Sequence, residues 1–417
     1  MISKIRGTRD ILDTKVLRSV MDTVKKHLFA HHFEEIIVPT LEPVALFKRA
    51  LGDETDVVSK EMFVVSSSSA QEQEEVICLR PEATASTVRA FVENGIQTVP
   101  WKVFTWGSMF RYERPQKGRF REFYQCSMEV IGSQSIMQDV QLIAMLDRLF
   151  SEKFDLDEYA LQVNFLGCPE DRVVFKETLR TFLHQHLSAI CGTCKHRADT
   201  NILRVFDCKQ DACQALYVKA PVLTDCLCDV CSQEWKQVQK ALAQLSVSYV
   251  HATRLVRGLD YYNKTVFEFA SPLLGAQSAF CGGGRYDYLV SSIGGKEDQP
   301  SLGAAIGVDR LLMVLEAAHK LPAVQEKPLY VILPLSVEQQ LVGLHMADRL
   351  LRKGFTVDVL LDGSVKSMMK KANKYGARAV LLVGEQEVID GTVTIKDMVS
   401  GAESVVKQVD VASHLSQ

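Results

Sequence analysis

Apolar side chains recur along this chain with two different periods, and the changes of period mark its elements. Residues 13 to 32 carry Val16, Val20, Val24 and Leu28 at helical spacing, with Leu17, Met21 and Phe29 widening the stripe. That pattern predicts a helix facing a core. Phe33 to Leu41 then reads as a strand, where Pro39 marks an edge or a kink. From Phe104 to Gly132 the period is two. Phe104, Trp106 and Phe110 share one parity, while Arg111 and Glu113 share the other with the small residues Thr105 and Gly107. Further on, Tyr124, Cys126 and Met128 alternate with Arg121, Phe123, Gln125, Ser127 and Glu129. Pairing of the two runs would gather Arg111, Glu113, Gln125 and Glu129 on one face and leave the other mostly apolar. Any amphipathic hairpin has one wet face. This one is built from Arg, Glu and Gln, and its connecting loop from Glu113 to Arg119 is more cationic than a turn requires. Such a face suits an anionic ligand with a hydrogen-bonding body.

The remaining pattern adds a second helix, an insertion and a separate C-terminal fold. Ser66 to Glu75 is polar and low in complexity, which predicts a solvated loop between two hairpin strands. Val76 to Thr84 predicts a short strand stopping at Pro81, with a helix starting nearby. Glu82 and Thr84 therefore sit at a strand-to-helix turn, where helix capping and ligand contact both suit such side chains. Val140 to Phe150 predicts a helix on which the sheet can pack. From Cys168 to Ser246 the pattern becomes helical, through Val173, Val174, Leu179, Phe182, Leu183 and Leu187. The pairs Cys191-x-x-Cys194 and Cys228-x-x-Cys231 there have the spacing of a structural zinc site, with Cys208 and Cys213 as extra or substitute ligands. A set of buried free thiols fits the same residues. Leu255 to Phe269 predicts a strand with Arg257 to Tyr262 at its mouth, and Gly282, Gly283 and Gly284 allow close approach of backbone to a ligand. Gly303 and Gly307 precede a helix starting near Asp309 and Arg310. After a charged linker from Ala317 to Lys327, strands and helices alternate in an α/β domain of about ninety residues. Its helix from Val365 to Tyr375 carries Lys366, Lys370 and Lys374 in one stripe, either a solvated face or a contact to phosphates.

Composition narrows the class. With 417 residues, 47% hydrophobic and 24% charged, the chain is an ordinary globular one with room for more than one domain. The N-terminus MISKIRGTRDIL has no apolar leader, and no run reaches the length of a membrane span. We therefore expect no membrane association, and the eleven Cys fit a reduced, cytoplasmic chain better than a secreted one. A net charge of −3 means that a nucleic-acid partner would be held by local basic patches.

Several of these stretches resemble one family in order. FRYERPQKGRFREFYQ, residues 110 to 125, resembles motif 2 of class II aminoacyl-tRNA synthetases in the form seen in histidyl-tRNA synthetases. The long helix and Pro-bearing strand resemble motif 1, which lies at that family's dimer interface. R-P-E-x-T at Arg80 to Thr84 matches the family's loop for the amino group of histidine. RGLDYY at 257 to 262 and CGGGRYD at 281 to 287 match its two histidine-specific signatures, and SLGAAIGVDRLL at 301 to 312 resembles motif 3. The resemblance implies an α+β class II catalytic domain, an antiparallel sheet flanked by helices, with a helical insertion and a C-terminal α/β anticodon-binding domain. The implied boundaries are 1–167 and 247–322 for the catalytic domain, 168–246 for the Cys-rich insertion, and 327–417 for the last domain.

It also implies chemistry: a cytoplasmic homodimer that activates L-histidine with ATP and Mg2+ and passes it to the 3′ end of tRNA(His). By resemblance Arg111 and Arg257 grip the α-phosphate, with Arg257 doing work that other class II enzymes give partly to a metal. Glu113 meets the adenine end and Arg310 the γ-phosphate. Glu82, Thr84 and Gln125 hold the α-ammonium. Glu129 and Tyr262 bond the imidazole nitrogens, and Tyr261 and Tyr286 wall the pocket. Arg114, Gln116 and Arg121 lie in or beside the loop that reaches the acceptor end of tRNA. The alternative is a catalytically silent relative that regulates ATP phosphoribosyltransferase. Such relatives usually lose the RGLDYY arginine or the C-terminal domain, and both are present here.

Overall fold

The computed structural model describes residues 2–53, 55–66, 76–200, 202–208, 210–275, 278–324 and 327–416. The polar loop expected from Ser66 to Glu75 thus lies almost wholly outside them. Residues Met1–Ala323 form one compact unit and Val324–Gln417 another.

In the first unit, α1 (Lys15–Ala30) buries Leu17, Val20, Met21, Val24 and Leu28, the stripe expected from its spacing. The strand expected from Phe33 to Leu41 is broken. It leaves a two-residue β1 (Glu34–Glu35) and, beyond Pro39, β2 (Leu41–Pro43). The reason is local: the carbonyls of Val38 and Pro39 accept from the Arg80 guanidinium at 2.8 and 3.4 Å instead of joining a ladder. After α2 (Val44–Leu51), β3 (Phe63–Val65) and β4 (Ile77–Leu79) close a small antiparallel sheet with β2. Then α3 (Thr84–Glu93) begins, its first N–H groups held by Glu82.

The hairpin strands are β5 (Trp101–Phe110) and β6 (Glu122–Ile131). They are followed by α4 (Met137–Arg148), β7 (Ala160–Phe165) and the inserted helices α5 (Pro169–Gln185), α6 (Gly192–Thr200), α7 (Asp211–Tyr217) and α8 (Asp229–Gln244). The chain returns through β8 (Val250–His251), β9 (Asn263–Ala270), β10 (Ala279–Arg285), α9 (Leu289–Ile293), β11 (Ser301–Gly307) and α10 (Val308–Ala317). The sheet runs β1-β5-β6-β11-β10-β9-β7-β8, antiparallel except where β1 meets β5 and β8 meets β7.

Register decides what the sheet can do. Gln125, Ser127 and Glu129 on β6 face Gly107, Thr105 and Val103 across β5, and Gly307, Ala305 and Gly303 across β11. Three polar side chains therefore rise from a floor of small neighbours. The opposite parity, with Phe104, Cys126, Met128, Val130, Leu302, Ala304 and Ile306, is buried against α1, α4 and α10. Each Phe, Met, Val, Leu or Ile among them contributes about 1.5–3 kcal/mol on burial. The inserted helices divide between this core and a second one shared with α2, α3 and α9, rather than forming their own. Trp235 of α8 stacks on Phe165 at 5.7 Å, while Phe175, Leu179 and Leu183 of α5 join a cluster with Phe47, Val88 and Tyr286. Arg285, 1% exposed, bonds Asp139 at 3.0 Å and Asp287 at 3.1 Å and anchors the end of β10.

The second unit contains β12 (Leu329–Pro334), α11 (Val337–Arg352), β13 (Thr356–Val359), α12 (Val365–Lys374), β14 (Ala379–Val383), β15 (Thr392–Asp397) and β16 (Glu403–Lys407). Its sheet order is β13-β12-β14-β15-β16, with the first three strands parallel. The single last strand expected near Val393 is an antiparallel pair, because the chain turns back at Ser400 and Gly401. On α12, Met368 and Ala372 are buried, while Lys366, Lys370 and Lys374 are exposed.

Candidate active site

The polar face of β6 opens into a cavity of about 220 Å³ whose lining includes Arg111, Glu113, Gln125, Arg257, Glu268 and Arg310. Each arginine is held by something the strand pattern alone did not reveal. Arg111, just beyond β5, donates from Nε to the Pro81 carbonyl at 2.9 Å and lies over the Phe123 ring at 5.5 Å. Burial pulls its pKa down, against the pull of Glu61 and Glu82. Arg257 pairs with Glu268 on β9 and lies 5.8 Å from the Tyr262 ring centre. Arg310, in the first turn of α10, donates to Gly118 at 3.0 Å and Ala279 at 2.8 Å, tying the hairpin loop to β10. Burial lowers its pKa too, and Arg119 and Arg111 add to that. Glu113 is ion-paired with Arg119 across the loop. Cationic groups held by protein partners around a cavity form a ready counter-charge for a polyphosphate.

The glycines explain how Arg257 fits. A Cβ on Gly282 would lie 2.6 Å from its guanidinium. On Gly284 a Cβ would meet the Thr265 carbonyl at 2.6 Å and Tyr262 at 2.9 Å. The close approach expected of this Gly run is therefore to the protein's own side chains and strands, within a β-strand rather than a loop.

Next to the cavity, further along the same face, lies a buried carboxylate. Glu129, 1% exposed, accepts from the Thr84 hydroxyl at 2.8 Å and from the Tyr286 hydroxyl at 2.5 Å. Burial pushes its pKa well up, although both hydroxyls oppose the shift. A Cβ on Gly303 would overlap this carboxylate, so only Gly leaves it room there. Tyr261 packs against Tyr262 at 4.5 Å and Tyr286 at 5.6 Å. Glu82 spends its two oxygens on the N–H groups of Thr84 at 2.8 Å and Ala85 at 2.7 Å, so it caps α3. The Oε1 of Gln125 is buried without a hydrogen-bond partner.

The fold thus brings Arg111, Glu113, Gln125, Arg257 and Arg310 around one cavity, with Glu82, Thr84, Glu129, Tyr261, Tyr262 and Tyr286 beside it. It differs from expectation in several places. Tyr286, which packs on Tyr261 as a wall would, also donates its hydroxyl to Glu129, a bond the sequence reading did not include. Arg121 stacks over Tyr112 at 3.8 Å and donates to the Glu113 carbonyl at 3.3 Å, so it braces the loop. Arg114 and Gln116 are exposed. The two Cys-x-x-Cys pairs, expected in one metal site, lie in two different clusters. Cys191 and Cys194 gather with Cys208 and Cys213, whereas Cys228 and Cys231 gather with Cys168 and Asp171. The 3-10 turn and helix between the pairs carry Cys208 and Cys213 back to the first pair, and the start of α8 lies beside the start of α5. Sequence reasoning also missed Glu268 and Arg119, the partners of Arg257 and Glu113. Each sits near its partner in sequence, but nothing in the strand parity marks it as a counter-ion.

Comparison with known proteins agrees with this geometry. The family described as "Histidyl-tRNA synthetase" matches residues 7–311, and "Anticodon binding domain" matches residues 330–417. A histidine–tRNA ligase of Desulfatibacillum aliphaticivorans is 41% identical over 403 residues, covering 95% of this chain and 94% of that protein. One from Geobacter metallireducens is 39% identical, covering 97% of each. The apo crystal structure of S. aureus histidyl-tRNA synthetase superposes with a TM-score of 0.82 at 27% identity, over 100% of both chains. From its N-terminal motifs to its last domain, the chain belongs to the histidyl-tRNA synthetase family of class II aminoacyl-tRNA ligases.

Proposed function

We propose that the cavity takes MgATP, that the Glu129 pocket takes the side chain of L-histidine, and that the shared sheet face aligns them for adenylate formation. The observation that carries this is the placement of Gln125 and Glu129 on one strand face, between three arginines and a tyrosine cluster. In the first step the histidine carboxylate attacks the α-phosphorus and pyrophosphate leaves. Arg111 and Arg257 stabilise the charge that builds on the α-phosphate oxygens, and Arg310 holds the γ-phosphate. Mg2+, carried in with the nucleotide, would supply further neutralisation of the phosphate charge beside these arginines. Glu113, Glu268 and Asp309, the carboxylates that line the cavity, are each already paired with an Arg. Glu113 faces the adenine end. Glu129 accepts a ring N–H of the imidazole, with Tyr262 at the other nitrogen. The unpartnered Gln125 Oε1 accepts from the α-ammonium beside Thr84 and Glu82. In the second step a hydroxyl at the tRNA 3′ end attacks the mixed anhydride and AMP leaves, with Arg114 and Gln116 on the exposed loop as acceptor-end contacts.

Histidine-dependent exchange of labelled pyrophosphate into ATP tests the first step. Exchange with histidine alone among amino acids is expected. Its absence, in protein that still binds histidine, would favour the silent regulatory reading. We further propose that the enzyme works as a cytoplasmic homodimer. Among the described residues, no helix is long and apolar enough to cross a membrane.

The C-terminal unit binds the tRNA in this reading. Lys370→Ala combined with Lys374→Ala is expected to weaken tRNA binding and to lower its salt slope by about 0.7–0.9 for each phosphate that is no longer neutralised. Exchange without tRNA should be unchanged. Equal tRNA affinity and slope in both proteins would leave the stripe a solvated face.

A further inference from the structure

The inserted helices carry a feature that the proposed chemistry does not use. Cys191, Cys194, Cys208 and Cys213 place their sulfurs within 4.8 Å of one another, and all but Cys191 are buried. None of the four is in a disulfide. The sulfurs of Cys191 and Cys208 are 3.8 Å apart. A tetrahedral ion with metal–sulfur bonds of about 2.3 Å has sulfur–sulfur edges of about 3.8 Å. A multi-iron cluster would hold the thiolates of different irons farther apart than this group allows. Backbone N–H groups already point at the sulfurs, from Cys191 to Cys213 at 3.2 Å and from Gln210 to Cys208 at 3.4 Å. Such donors are the outer shell that supports thiolate ligands.

Packing supplies a second argument. The nine-residue α6 buries only Cys194 and Ala198, and the seven-residue α7 only Cys213 and Tyr217. Helices this short are marginal without tertiary support, and here half of the buried residues are cysteines. The segment they frame carries Arg204, which donates to the Gly258 carbonyl at 2.9 Å and pairs with Asp56 at 3.1 Å. Gly258 follows Arg257 directly, so whatever fixes this segment also fixes the loop holding that arginine.

We propose that Cys191, Cys194, Cys208 and Cys213 bind one Zn2+ in a closed tetrahedral site that orders α6, α7 and the Arg204 segment between them. The ion is structural: all four positions are filled by protein thiolates, which leaves none for substrate or water. The neighbouring group of Cys168, Asp171, Cys228 and Cys231 stays outside the proposal. Its carboxylate already accepts from the N–H groups of Cys168 at 3.2 Å and Cys228 at 2.8 Å.

The test is metal content and spectroscopy of the purified chain. Cys208→Ser with Cys213→Ser is expected to lose about one zinc per chain relative to the parent, while Cys226→Ser, outside both groups, loses none. Cobalt exchanged into the parent should show tetrahedral d–d bands with charge transfer from four thiolates, a readout that needs no variant. The proposal is overturned if the reduced parent takes up neither zinc nor cobalt, or if it holds iron instead. It is equally overturned if the four-thiolate spectrum survives in the double variant, or vanishes with Cys228→Ser rather than with it.

Discussion

Arg257→Ala is expected to slow histidine-dependent pyrophosphate exchange by about 100- to 1,000-fold, a loss on the order of 2.7–4 kcal/mol, as when one donor is taken from an oxyanion hole. Arg257 lines the cavity with Arg111 and Arg310, but its ion-pair partner Glu268 lines the same cavity. Truncation therefore removes a donor and also exposes a carboxylate to the incoming phosphates. The two effects separate in a second variant. If most of the loss comes from the bared charge, adding Glu268→Gln should restore activity; if it comes from the missing donor, the double variant should stay slow. We expect the latter, because charge builds on the α-phosphate only during reaction. Near-normal exchange in Arg257→Ala would remove this residue from the chemistry.

At a pH where Glu129 is ionised in the complex, Glu129→Gln is expected to raise the KM for histidine by the equivalent of about 1.5–3 kcal/mol, the usual worth of a hydrogen bond to a charged group. The KM for ATP should hardly change, since Arg111, Glu113 and Arg310 are untouched. The amide keeps the shape beside Gly303 and can still pair with the Thr84 and Tyr286 hydroxyls. Stability should move the other way. Burial raises the pKa of Glu129 above its unfolded value, so the folded chain holds this proton more tightly. That contribution is fully present at pH below the ordinary carboxylate range and is lost as pH rises through the raised value. The glutamine has no such proton, so at neutral pH the variant should melt no lower than the parent, with a flatter dependence of Tm on pH. A fall in ATP affinity with histidine affinity intact would place Glu129 at the nucleotide and refute the division of the sheet face.

Strand parity made much of this site legible. Period-two alternation placed Gln125 and Glu129 on one face of β6, and the register with Gly107 and Gly303 shows why small residues flank them. Pro81 and Thr84 marked a strand-to-helix turn. What stayed hidden depends on contacts between distant segments. That the Tyr286 hydroxyl bonds Glu129 follows from how β10 and β11 lie beside β6. The strand from Phe33 to Leu41 fails because a guanidinium far along the chain takes its carbonyls. The Cys-x-x-Cys spacings marked ligand-like pairs, but not which pairs meet, because that depends on how four short helical segments fold back on one another. Counter-ions such as Glu268 carry no periodic signal at all.

The position of β11 has a consequence for how this enzyme is made. This strand joins β6 to β10 in the middle of the sheet, yet it is the last of the eight to leave the ribosome. Until residue 307 emerges, β6 and β10 each present an open edge, and such edges invite pairing with other chains. The two sides of the future site are then synthesised but unjoined, and their closure waits on contacts of large sequence separation, which form slowly. A chain stalled or truncated before Ser301 would be an aggregation hazard rather than a smaller working enzyme. During biosynthesis, the burden of keeping those two edges apart would fall on the nascent chain's chaperones.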